Sequence, residues 1–104
     1  MMIANQQVLE LIYETIDELN QTLATGMQLP KSPDTVLFGE GSTIDSLGLV
    51  GLIVGVEQRA AEQFEAAITI VNEKAMSLRN SPFRTVGTLA DYVGELLQET
   101  AQAA

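Results

Sequence analysis

The residue best placed to do chemistry is Ser46, in the stretch Ile44-Asp45-Ser46-Leu47-Gly48-Leu49-Val50. This stretch follows a loop carrying Pro30, Pro33, Gly39 and Gly41, and it opens a predicted helix running to about Ala67. Thr43 and Asp45 are good helix-capping types, which sets Ser46 in the first turn. There its hydroxyl is expected to face solvent, beside the positive end of the helix dipole and several free backbone N–H groups. A phosphate ester on that oxygen would be stabilised by both. Ser32, Ser42, Ser77 and Ser81 lack this setting. The chain has no Cys and no His, so disulfides, thiolate nucleophiles, histidine bases and zinc ligation by Cys or His are excluded. Glu40 and Asp45 could be imagined as an acid/base pair, but no nucleophile or metal cluster accompanies them.

The elements that must position Ser46 can be read from apolar periodicity. Asn5 to about Ala24 reads as an amphipathic helix, with Val8, Ile12, Ile16, Leu19 and Leu23 on one face. Glu10, Glu14, Asp17 and Glu18 cover its other side, most simply as a solvated surface, and Gly26 is a plausible stop. Residues 27–45 form a long connection of the kind that is often functional. Within it, Val36-Leu37-Phe38 is apolar enough to tuck over the core.

The helix from Ser46 to about Ala67 should bury Leu49, Ile53, Val56, Ala60 and Phe64. If the Phe64 ring is fully buried, Phe64→Ala should cost about 3 kcal/mol. Gly48, Gly51 and Gly55 fall together on the opposite, solvent side, a stripe that continues into Gln58, Arg59 and Glu62. Leu47, Val50 and Val54 lie on the flank between the two. Each interior glycine costs a helix up to about 1 kcal/mol relative to alanine. Either something approaches the backbone closely along that stripe, or small residues are simply tolerated there; both readings stand open.

A short helix is expected over 72–78, with Asn72 as its cap, before a break at Arg79-Asn80-Ser81-Pro82. Thr85 then caps a last helix over 86–98, whose apolar face is Val86, Leu89, Val93 and Leu96. Residues 100–104 are expected to fray. The fold class is all-α: one domain, 1–104, a small bundle of three main helices (about 5–24, 46–67 and 86–98) plus one short one.

Composition narrows the partners. A 46% hydrophobic fraction rules out a disordered acidic tail. Fourteen acids against five bases give a net charge of −9, which argues against nucleic acid and favours enzymes with basic docking surfaces. Lys31, Arg59, Lys74, Arg79 and Arg84 are scattered, so no basic cluster suggests anionic lipid. The run Leu47 to Val56 is too short to span a bilayer, and the first seven residues do not resemble a signal peptide. A monomeric, cytoplasmic protein without membrane insertion is expected.

Phe38-Gly39-Glu40 followed by Ile44-Asp45-Ser46-Leu47-Gly48-Leu49-Val50 resembles the modification site of acyl carrier proteins. Phe83-Arg84-Thr85-Val86-Gly87-Thr88-Leu89-Ala90-Asp91-Tyr92-Val93 resembles that family's last helix, and the likeness in organisation covers nearly the whole chain. The resemblance implies that Ser46 carries 4′-phosphopantetheine, delivered from coenzyme A, whose thiol supplies the covalent chemistry this chain lacks. It implies that Asp45 helps a phosphopantetheinyl transferase (a holo-carrier synthase) engage the serine. It also implies that Leu47 belongs with Ser46 and Asp45 to the cofactor site and, like Val50 and Val54, matches a position where partner enzymes touch the second helix. Partner enzymes for acyl activation, condensation or acyl transfer would dock on the second helix at Gly48, Val50, Gly51, Val54 and Gly55. In the family that helix usually bears acidic residues on its exposed face; here Gly48 through Val56 has none. The segment Ile68-Thr69, with Asn72-Glu73-Lys74-Ala75-Met76, is similar to stand-alone bacterial carriers of specialised lipid or secondary-metabolite pathways. A carrier of this kind has no catalytic machinery of its own. An aminoacyl or peptidyl carrier, or a helical interaction module with no prosthetic group, are the alternatives.

Overall fold

The fold was obtained as a computed structural model, and it describes residues 5–23, 26, 28–37, 41, 44, 46–65, 67–70 and 83–103. Three helices make the all-α bundle: α1 (Asn5–Asn20), α2 (Ser46–Gln63) and α3 (Val86–Ala103). The short helix expected over 72–78 lies outside the described residues.

Helix α1 packs against both α2 and α3. With two neighbours it buries a wider arc than one stripe: Val8, Leu11, Ile12, Thr15 and Ile16. Leu19 and Leu23 are only partly buried, because the helix ends at Asn20 rather than near Ala24. The next three backbone N–H groups turn back to carbonyls three residues earlier, Gln21 to Glu18, Thr22 to Leu19 and Leu23 to Asn20. The Asn20 side chain leaves the helix pattern and brackets Leu29. Its Nδ2 donates to the Leu29 carbonyl at 2.9 Å, and its Oδ1 accepts from the Leu29 N–H at 2.8 Å. Gly26 has a left-handed φ of 94°, but it serves a turn beyond the helix and not the stop itself.

The segment after this bracket is stitched to the start of α3. Leu37 N–H donates to the Arg84 carbonyl at 2.7 Å and Val86 N–H to the Thr35 carbonyl at 3.0 Å, around an antiparallel bridge between Val36 and Thr85. Gly87 N–H donates to the Pro33 carbonyl at 2.8 Å. A Cβ at Gly87 would lie 3.1 Å from that same oxygen, so the close approach favours glycine. Leu37 is buried as expected, Val36 partly, and Phe38 lies outside the described residues. Thr85 caps α3 as expected: its Oγ1 accepts from Thr88 N–H at 3.1 Å while Thr88 Oγ1 accepts from Thr85 N–H at 3.0 Å.

Helix α3 runs to Ala103, five residues past the expected end, because no breaker follows Gln98 and Ala101 to Ala103 are good helix formers. Its buried residues are Val86, Leu89, Ala90, Val93 and Leu97. Leu96 is only partly buried: of two adjacent leucines a hundred degrees apart, Leu97 turns inward. Helix α2 stops at Gln63, short of Ala67. Phe64 N–H still bonds the Ala60 carbonyl at 2.9 Å, but Glu65 adopts φ 52° and reverses the chain. The Ile70 N–H then donates to Glu57 Oε1 at 2.7 Å, laying residues 67–70 back along α2 with Ile68 and Ile70 buried.

Phe64 packs against the core but is not fully buried. The loss for Phe64→Ala is accordingly about 1.5 kcal/mol, half that for a fully buried ring. Urea unfolding checks it; a loss of about 3 kcal/mol would mean the ring is enclosed.

Candidate functional site

Ser46 is the first residue of α2, the position anticipated from its capping neighbours. Asp45 and Thr43 lie outside the described residues, as does Glu40, the other half of the imagined acid/base pair. What can be described is the surface running away from Ser46. Leu47 is 81% exposed, Val50 52% and Val54 42%. These side chains recur at three and four residues, so they share one helical face and cover about 10 Å of its length. They are the outward face of α2, not its flank. The inward face is Leu49, Leu52, Ile53, Val56 and Ala60.

The glycines sort differently from the sequence expectation. Gly51 is exposed, and a Cβ built there would meet nothing within 4 Å. Gly48 is partly buried. Gly55 does not belong to a solvent face: a Cβ there would sit 2.7 Å from Thr15 Cγ2 of α1. The close approach that the glycines suggested exists at Gly55, and the element that makes it is α1. An open groove of about 180 Å³ separates the helices beside it, lined by Thr15, Glu18, Leu19, Thr22, Gly51, Leu52 and Gly55. Leu47, Val50 and Val54 do not line this groove.

Glu10, Glu14, Asp17 and Glu18 are exposed on α1 as expected, yet all four hold neighbours, Glu10 accepting from Gln6 Nε2 at 3.4 Å. Glu18 pairs with Arg59 of α2, Glu14 accepts from Gln63 Nε2 at 2.9 Å, and Asp17 meets Lys31 at 3.2 Å. The Asp17–Lys31 pair is exposed on both sides and contributes little. Among the described residues no group of three or more acids is gathered closely enough to hold a metal ion. No described helix is long and apolar enough to cross a membrane.

Leu52 and Thr15 shape the α1–α2 contact, and neither stands out in the sequence. Leu52 falls beside the expected apolar stripe. Thr15 is polar, but its Oγ1 donates to the Leu11 carbonyl at 2.9 Å, which leaves its methyl free to pack. Compared with known protein families, curated proteins and solved structures, the chain matches none.

Proposed function

We propose that this chain is an acyl carrier protein. It carries acyl intermediates as thioesters on 4′-phosphopantetheine joined to Ser46, and presents them in the cytoplasm to enzymes of a specialised lipid or secondary-metabolite pathway. The observation that carries this reading is the position of Ser46 at the head of an 18-residue helix, followed at once by a leucine left 81% exposed. At Leu47 the first turn of α2 is therefore open to a transferring enzyme. The positive end of the helix favours a phosphodiester at this place. The residues present fit the group on that ground.

When attached, the group supplies a flexible arm ending in a thiol, the chemistry that a chain without Cys cannot provide. The chain's own part is to offer the Ser46 oxygen, which loses its proton as the new phosphate ester forms and adenosine 3′,5′-bisphosphate departs from coenzyme A. Ser46 heads α2, and Asp45 helps the transferase engage it. Acyl activation, condensation and transfer belong to the partner enzymes, with which a monomeric carrier meets in turn.

Wild type and Ser46→Ala are incubated with coenzyme A, Mg²⁺ and a phosphopantetheinyl transferase, then weighed intact. The expected result is one phosphopantetheine on wild type and none on the variant. A mass gain on Ser46→Ala would overturn the assignment. No gain on folded wild type, with a transferase that loads a control carrier, would leave a helical interaction module whose Ser46 is only a helix start. An aminoacyl rather than acyl group on the protein loaded in its own cells would make it an aminoacyl or peptidyl carrier.

A further inference from the structure

We propose that residues 67–70 form a strap that opens ahead of the rest of the bundle, latched by the Glu57 carboxylate and hinged at Glu65; this stands whether or not Ser46 is loaded. Ala67, Ile68, Thr69 and Ile70 alternate exposed, buried, exposed, buried, the pattern of a strand. Among the described residues, however, the segment pairs with no strand, and the isolated bridge lies elsewhere, between Val36 and Thr85. What ties it to the helices by hydrogen bonding is the Ile70 N–H, which donates to Glu57 Oε1 at 2.7 Å. A side chain of α2 thus stands in for a neighbouring strand. Glu57 is half-buried, and a bond to its carboxylate is stronger than a neutral one. It is still a single bond.

The approach to the strap is strained. Glu65 holds φ at 52°, in the left-handed region, where a Cβ is disfavoured and glycine is the usual residue just past a helix end. Release of the strap lets Glu65 return to an ordinary φ, so the strain favours the open form. Against it stand the latch and the burial of Ile68 and Ile70. Each helix, by contrast, holds at least five buried side chains and its own backbone ladder. Opening the strap therefore costs less than unfolding the bundle. It bares two isoleucines and the part of the core beneath them while the three helices stay packed.

The chain has no Cys, so one introduced thiol reports on one place. Ile70→Cys and, in the core of α3, Val93→Cys are labelled with a thiol reagent after circular dichroism has shown both to be helical. The expected result is faster labelling at position 70, rising less than about threefold on addition of about 1 M urea. At position 93, where the bundle must unfold, the rise should be about tenfold or more. Added to Ile70→Cys, Glu57→Leu should speed labelling about tenfold, through loss of a bond to a charged group. Glu65→Gly should slow it about threefold, since glycine takes the left-handed φ without strain. Equal urea dependence at the two positions, or a Glu57→Leu rate within about threefold of its parent, would overturn the strap. Faster labelling with Glu65→Gly would overturn the hinge. Amide exchange at Ile70 and Val93 in the unsubstituted chain reads the same urea dependence, so a cysteine variant that fails to fold leaves the test intact.

Discussion

Leu52→Ala should lower the free energy of unfolding by about 3 kcal/mol, a loss from one side chain that a small domain can barely absorb. Leu52 is 1% exposed and lies on the face of α2 that meets α1. Truncation removes three buried carbons from the core and leaves a space that two helices, anchored at Arg59–Glu18 and Gln63–Glu14, cannot easily close. Val50→Ala, two residues earlier on the outward face, should change stability by no more than about 0.5 kcal/mol. Urea unfolding of both variants, with unchanged slopes, checks the contrast. Equal losses at the two positions would mean that α2 is rotated from the orientation described.

The same substitution at two glycines of α2 should have opposite signs. Gly51→Ala meets open space, so it should stabilise by about 1 kcal/mol through helix propensity alone. Gly55→Ala gains the same propensity, but its Cβ would press on Thr15 Cγ2 at 2.7 Å. Thr15 is β-branched, buried and tied through Oγ1 to the Leu11 carbonyl, so it yields only by breaking that bond or parting the helices. The crowding costs about 2 kcal/mol, for a net loss near 1 kcal/mol and a gap of about 2 kcal/mol between the two variants. Thr15→Ser removes the offending methyl and keeps the hydroxyl. In the Thr15→Ser background, Gly55→Ala should therefore turn neutral or stabilising, a coupling that a double-mutant cycle reads directly. If Gly55→Ala stabilises wild type as much as Gly51→Ala does, the two helices are further apart than the structure places them.

These contrasts show which parts of the fold the amino-acid pattern could disclose. A single stripe of apolar residues recovers Val8, Ile12 and Ile16 on α1, since period alone puts them together. It misses Leu11 and Thr15, because a helix gripped from two sides buries more than one stripe and the pattern does not say how many neighbours there are. Leu96 and Leu97 are equivalent in composition and separable only by packing. The glycines were visible as a set, but whether each faces water or another helix depends on the α1–α2 distance, which no local signal contains. Asn20 gave no sign at all: its bonds go to a residue nine positions on, in irregular chain. At the site, the head of α2 at Ser46 was legible from helix-start chemistry, and the exposure of Leu47, Val50 and Val54 was not, since apolar residues on a flank look like core.

The pairing of Thr35 and Leu37 with Arg84 and Val86 has a consequence for the order in which the chain assembles. Helices propagate through contacts three and four residues apart and form early, while this clasp joins segments roughly fifty residues apart and must first overcome the entropy of closing that loop. Two short backbone bonds are too few to do so alone. Once α1 has gathered α2 and α3, however, the ends are already close and the clasp closes almost freely. It is a late event on the way to the native state, and correspondingly an early one to be lost: residues 33–37 owe their place to a bundle that must be complete before it.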